Sequence, residues 1–294
     1  MKSEKVPENG ERHRHRADGA GKRSGGTMRR DAEGAARKTA QRKIQKQRGV
    51  KMRPRPGAAA KACEGVLQLL FPLRCPVCDG IVTPQGERIC LECLGRLQLL
   101  TPPWCMKCGK KLAQEGEFCG DCQRREHLFT RGRALYSYES AAPSIYRFKY
   151  GGRREYAEAF GEQMAEYLGD FIRSVRPEAL IPIPLHRKRL RARGYNQARL
   201  LARALGRRTG VPVCADFLVR VKNTLPLKYE NPKERQNNLK KAFNIARNDV
   251  KLKRVVVIDD IYTTGSTMDE AAETLRGAGV EEVYFIALAS GTGV

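Results

Sequence analysis

The stretch Val255-Val-Val-Ile-Asp-Asp-Ile-Tyr-Thr-Thr-Gly-Ser-Thr267 limits the possible folds more than any other part of the chain. Four apolar β-formers without alternation read as a strand buried on both faces, the pattern of a parallel sheet covered by helices. Asp259 and Asp260 follow, where that strand is expected to end. A small-residue loop then leads into Met268–Arg276, a helical pattern with acidic residues in its first turn. Backbone N–H groups of this loop and the helix N-terminus form a cradle for a phosphate. Gly265 supplies the turn, and Thr263, Thr264, Ser266 and Thr267 add hydroxyl donors. Two carboxylates repel that phosphate and so serve another partner: sugar hydroxyls, or Mg²⁺.

A hydrophobic strand, two acidic residues and then Thr-Thr-Gly-Ser-Thr resembles the phosphoribosyl-pyrophosphate (PRPP) loop of type I phosphoribosyltransferases. Nucleoside-triphosphate and dinucleotide sites need G-K-[ST] or G-x-G-x-x-G, and the stretch has neither.

Upstream, four Cys-x-x-Cys pairs stand at near-regular intervals: Cys75/Cys78, Cys90/Cys93, Cys105/Cys108 and Cys119/Cys122. Two such turns complete a tetrahedral Cys₄ site, so eight cysteines at this spacing predict two structural zinc ions. Sequential pairing is the simpler arrangement; an interleaved one uses the same ligands. Cys63 and Cys214 read as small buried hydrophobes.

The formal net charge is +24, and residues 1–60 carry 18 Lys and Arg against 6 Asp and Glu, half of that excess. Nearly devoid of large apolar residues, this segment cannot offset its ordering entropy and is expected to be disordered. Its reading is a solvated tail or an arm for nucleic-acid phosphates. Met28 and Met52 are alternative starts within it. With neither an apolar run of membrane length nor a secretory signal pattern, the chain is expected in the cytoplasm. The expected organisation is a disordered basic tail (1–62), a double zinc ribbon (63–128) and an α/β domain (129–294) with its own core.

A second chemical stretch, Leu185-His-Arg-Lys-Arg-Leu-Arg-Ala-Arg-Gly-Tyr-Asn-Gln197, lies between the strand pattern Ala179–Pro184 and a helix from Ala198. Read as a loop at a strand end, it faces the acidic pair if the two strands are parallel neighbours. His186, Arg189, Arg191 and Arg193 are then the candidate cations for pyrophosphate. The alternatives are a solvated basic turn or part of a nucleic-acid surface. Tyr156, Phe160, Met164, Leu168, Phe171, Ile172 and Val175 recur at helical spacing. Phe217–Val221 and Ala242–Ala246 read as further strands of the sheet, and Lys222–Lys241 between them is a long polar segment of the kind that is usually functional or mobile.

Leu70-Phe-Pro-Leu-Arg-Cys75, Phe148-Lys-Tyr-Gly151, Pro182–Gln197, Glu234-Arg-Gln-Asn-Asn-Leu-Lys-Lys-Ala-Phe243 and Val256–Thr267 together resemble the ComF family (competence protein F, GntX-like). The chain departs from the family pattern at Leu227, where an amide is usual. The resemblance implies a type I phosphoribosyltransferase-like parallel sheet flanked by helices, preceded by a double zinc ribbon, and a role in DNA uptake during natural transformation. Asp259 and Asp260 would take the ribose hydroxyls and Mg²⁺, and Thr263–Thr267 the 5′-phosphate. No side chain is assigned as a catalytic acid or base. A module for single-stranded DNA that keeps a PRPP pocket as a sensor or vestige is the competing reading, with other DNA-uptake proteins as further partners.

Overall fold

The computed structural model describes residues 72–221, 242–246 and 251–291. The basic tail, the segment Val66–Phe71, the stretch Lys222–Lys241 with Leu227, and most of the Glu234–Phe243 motif lie outside the described residues. All described residues belong to one compact unit, Glu64–Val294.

Two one-turn helices, α1 (Leu91–Leu94) and α2 (Gly120–Arg124), each carry the last cysteine of a knuckle. Strand β1 (Arg131–Ser137) turns directly into α3 (Tyr138–Tyr150), where the Ser137 hydroxyl accepts the Ser140 N–H as an N-cap. Helix α4 (Tyr156–Val175) follows. Its expected stripe faces inward: Tyr156, Phe160 and Met164 are fully buried and Ile172 and Val175 nearly so. Then come β2 (Ala179–Pro182), α5 (Arg187–Arg193), α6 (Gln197–Thr209), β3 (Leu218–Arg220), β4 (Phe243–Ile245), β5 (Arg254–Tyr262), α7 (Ser266–Gly277) and β6 (Glu282–Ser290).

The main sheet has the order β1-β6-β5-β2, and all three pairings are parallel. Val255–Ile258 are fully buried, as the unbroken apolar run predicts. Each such side chain contributes roughly 1.5–3 kcal/mol over exposure, enough to anchor the strand that bears the acidic pair. Alternate residues of each strand point to opposite faces. Val256, Ile258, Leu180 and Ile286 join α3, α4 and α6 in one core. Val255, Val257, Ile181 and Phe285 join α7 and the β3–β4 pair in the other. The helices after β5 and β2 thus cover opposite faces, which opens a crevice at the strand ends between them.

Three expectations need correction. Strand β5 runs through the acidic pair to Tyr262, because Ile261 and Tyr262 resume pairing with Ala289 and Ser290 of β6. The stretch read as a basic loop contains a helix: His186 caps it, its Arg, Lys, Leu and Ala residues favour helix, and Gly194 stops it in the left-handed region. Phe217–Val221 and Ala242–Ala246 contribute β3 and β4 to a separate antiparallel pair rather than to the main sheet.

The knuckles share the two cores. Cys75, Cys90 and Cys93 pack with Phe148, Tyr156 and Phe160, whereas Cys105, Cys108 and Cys119 pack with Phe129, Tyr262 and Phe285. Cys214 is partly buried against the second core, and Cys63 lies outside the described residues.

Candidate functional site

The eight paired cysteines gather as Cys75/Cys78/Cys90/Cys93 and Cys105/Cys108/Cys119/Cys122, the sequential arrangement. Within each group the sulfurs lie within 4.8 Å of one another. Crowded thiols cannot all ionise without a cation. The Cys108 thiol holds Cys105 down at about 4, and Cys108 itself is driven upward. Burial raises Cys93 and Cys122 to about 12. A tetrahedral divalent ion supplies the missing charge, so both donor sets fit zinc.

At the crevice, β2 and β5 are parallel neighbours, with Pro182 opposite Ile258. That meets the condition for the His186–Arg193 segment and the acidic pair to share a strand-end face. Asp260 is 8% exposed, and Lys149 Nζ of α3 reaches its Oδ1 at 2.8 Å. Asp259 is half-buried, and its Oδ1 accepts the Asp260 N–H at 2.8 Å. Burial first and the adjacent Asp260 carboxylate second push Asp259 up to about 7, while Lys149 and Arg220 pull the other way. Removing the ammonium with Lys149→Met is therefore expected to move the Asp259 titration above about 7, read by carboxyl-carbon NMR.

The Thr263–Thr267 loop leaves β5 beside this pair. Thr263 and Thr264 are exposed, and the Thr264 and Ser266 hydroxyls lie 3.1 Å apart. Gly265 caps α7 at φ +83°, a left-handed conformation that strains any residue with a side chain. A Cβ there would also stand 2.7 Å from His127 Cε1. Arg125 NH1 donates to Ser266 Oγ at 3.3 Å.

The four candidate cations differ in placement. Arg189 lies near Arg220, whose own field reaches Asp259. Arg191 is exposed at the surface. His186 Nδ1 accepts the Lys188 N–H as helix cap at 3.3 Å. Arg193 stands 4.8 Å over the Tyr150 ring and donates to Gln197 Oε1 at 2.7 Å. A groove of about 900 Å³ beside α5 is lined by Arg154, His186, Arg187, Arg199, Arg203 and Arg220, among others. Arg220 thus links the groove electrostatically to Asp259.

Three side chains of the site gave little warning. Lys149 lies in the Phe148–Gly151 motif, which by itself implies no role for it, and only the turn of α3 brings it to Asp260. Arg220 looked like an ordinary strand residue. Asp269 read as a helix-dipole partner, yet its carboxylate turns away to meet Arg125 and His127.

Comparison with known proteins agrees with this division of labour. The double zinc ribbon domain model matches residues 66–123, and the phosphoribosyl transferase domain model matches residues 192–292. Competence protein F of Haemophilus influenzae is 33% identical over 225 residues, which cover 74% of this chain and 97% of that protein. Competence protein ComFC of Bacillus subtilis is 31% identical over 66% of this chain and 80% of its own length. DNA utilization protein YhgH of Escherichia coli K12 is 27% identical over 60% and 81% respectively. Among solved structures, a hypoxanthine-guanine phosphoribosyltransferase of Bacillus anthracis aligns at 19% identity and a TM-score of 0.31. It covers 47% of this chain and 70% of that one, a likeness too slight to carry an argument. The chain belongs to the competence protein F (ComF) family, with a double zinc ribbon ahead of a phosphoribosyltransferase domain.

Proposed function

We propose that the chain, in the cytoplasm, binds PRPP with Mg²⁺ at the end of β5 and acts in DNA uptake, a role in keeping with the competence and DNA-utilization names of its relatives. The observation that carries the reading is the acidic pair itself, set between Lys149 and the hydroxyl-rich loop. A surface built only for phosphates gains nothing from two adjacent carboxylates, one buried and one half-buried. Asp259 and Asp260 take the ribose hydroxyls and would hold Mg²⁺. Thr263–Thr267 take the 5′-phosphate, and Arg189 with Arg220 supplies charge for pyrophosphate. His186, Arg191 and Arg193 complete the basic rim around it.

The chemistry such a site supports is transfer of the phosphoribosyl group. The bond from ribose C1 to the pyrophosphate oxygen breaks, the leaving group departs with its electron pair, and an acceptor takes C1. Catalysis comes from positioning and from charge stabilisation of the departing pyrophosphate. Bound Mg²⁺ would add charge neutralisation at the pyrophosphate oxygens.

The raised Asp259 gives the reading a pH signature. Folding favours the protonated carboxyl, so its contribution to stability is present below about 3.8 and lost as pH rises through about 7. Mg²⁺ and ribose hydroxyls need the ionised form. PRPP–Mg affinity is expected to rise between about pH 4 and 7 and level off above it, with proton release on binding. Calorimetry in buffers of different ionisation enthalpy measures that proton. Asp259→Asn removes the Asp259 share of the slope and leaves the share due to PRPP's own phosphates. Identical slopes in the two proteins would sink the assignment.

One observation favours the competing reading, a surface for single-stranded nucleic acid. Tyr146 and Tyr150 are 65% and 64% exposed, with ring centroids 5.1 Å apart and Arg193 over the second. Exposed aromatic faces beside a cation offer unpaired bases a surface to stack on.

A further inference from the structure

The first knuckle rests on α3 and α4. Arg147 donates to the Pro76 and Val77 carbonyls, and Arg153 and Tyr156 donate to Asp79. The second knuckle is tied to the Thr263–Thr267 loop instead. One turn of α2 holds Cys122, and the chain leaves it through Arg125 and His127. These two side chains converge on Asp269 in the first turn of α7, whose carboxylate is 8% exposed. Asp269 accepts from Arg125 NH2 at 3.1 Å, from His127 Nδ1 at 2.9 Å and from the Leu128 N–H at 2.9 Å. Arg125 uses its other amino group on Ser266 Oγ, and the fully buried His127 ring fills the space behind Gly265.

The far side of the knuckle makes a second tie. Lys110, 5% exposed, pairs with Asp121 at 2.7 Å and lies 5.7 Å from the ring of Tyr262, the last residue of β5. Gly109, at φ +75°, lets the knuckle lie close against β1, because a Cβ there would stand 2.6 Å from the Gly132 carbonyl.

We propose that Arg125, His127 and Asp269 strap the second zinc knuckle to the loop, so that loading of that knuckle sets the loop's order and its affinity for a phosphate. The ordering rests on contacts within this chain. The phosphate half rests on the PRPP reading. A buried carboxylate with three donors is costly to leave half-satisfied, which makes the strap a stiff link. Arg125, His127 and Asp269 act as positioning residues: they touch the loop's own groups and leave its exposed threonines to the ligand.

The test uses the full chain purified with its zinc. Zinc per chain comes from elemental analysis, and backbone hydrogen exchange is followed over residues 263–270 with the α4 amides as internal reference. Arg125→Ala is expected to keep its zinc content and to raise exchange across 263–270 about tenfold, with α4 unchanged. Cys122→Ser is expected to lose zinc and to raise the same exchange. His127→Asn, whose amide can replace the Nδ1 donor, is expected to recover most of the protection lost in His127→Ala. Ribose 5-phosphate affinity falls about tenfold in Arg125→Ala, whereas pyrophosphate–Mg affinity stays within about twofold. That split separates a positioning role from general loosening. Unchanged exchange in Arg125→Ala, or equal exchange in the two His127 variants, overturns the strap even if Cys122→Ser unfolds. If wild-type protein fails to bind ribose 5-phosphate, the PRPP reading falls and the exchange data still decide the coupling.

Discussion

Asp259→Asn and Asp260→Asn are each expected to weaken PRPP–Mg binding by about ten- to a hundredfold. Each change turns an acceptor oxygen into a donor and removes a charge that attracts Mg²⁺. A hydrogen bond to a charged group is worth roughly 1.5–3 kcal/mol, which sets that range. The larger loss is expected at Asp260, because its carboxylate also holds Lys149 at 2.8 Å and the ammonium would be left facing a neutral amide. The competing reading gives the opposite sign. Removing negative charge from a basic surface leaves affinity for a single-stranded oligonucleotide unchanged or raises it. Titrating both variants with PRPP–Mg and with the oligonucleotide, at one salt concentration, separates the readings by direction.

Stripping both zinc ions is expected to destabilise the sheet along with the knuckles. The sequence alone pointed to a domain from residue 129 with its own core, which would survive loss of the ribbon. The packing argues otherwise. Cys75, Cys105 and Cys108 are fully buried and share cores with Phe148, Tyr156, Phe129 and Phe285. Without metal, each set of four thiols loses the charge that holds it together, and the aromatic side chains beneath lose their cover. Structural zinc stabilises small finger peptides by about 10–16 kcal/mol. If a third of that reaches this larger unit, the melting temperature drops by about 10–20 °C. Trp104, the single tryptophan, donates to the Leu100 carbonyl and lies 5.0 Å from Arg133 of β1, so it reports on the second knuckle. Its fluorescence and the helical circular dichroism are expected to melt together in the zinc-loaded protein. A fluorescence transition well ahead of the helical one would show that the knuckles fold separately.

Local signals were legible in the sequence where the chemistry is carried by neighbours along the chain. The unbroken Val255–Ile258 run gave a buried parallel strand, the Tyr156–Val175 stripe gave α4, and the cysteine spacing gave the two clusters. What escaped depends on contacts between distant segments. The end of β5 is fixed by its pairing with Ala289 and Ser290, not by the carboxylates that interrupt its apolar pattern. The basic stretch became a helix because its residues favour one and Gly194 could stop it; the charge pattern alone had suggested a loop. Lys149 and Asp260 are more than a hundred residues apart, as are Arg125 and Asp269, and no periodicity encodes either pairing.

The most direct measurement is calorimetric titration of the zinc-loaded wild-type protein with PRPP, with and without Mg²⁺. The PRPP reading predicts saturable binding of one PRPP per chain that strengthens markedly with Mg²⁺ and barely changes with added neutral salt. Absence of binding at millimolar PRPP, in protein that still binds an oligonucleotide with a steep salt dependence, would contradict it.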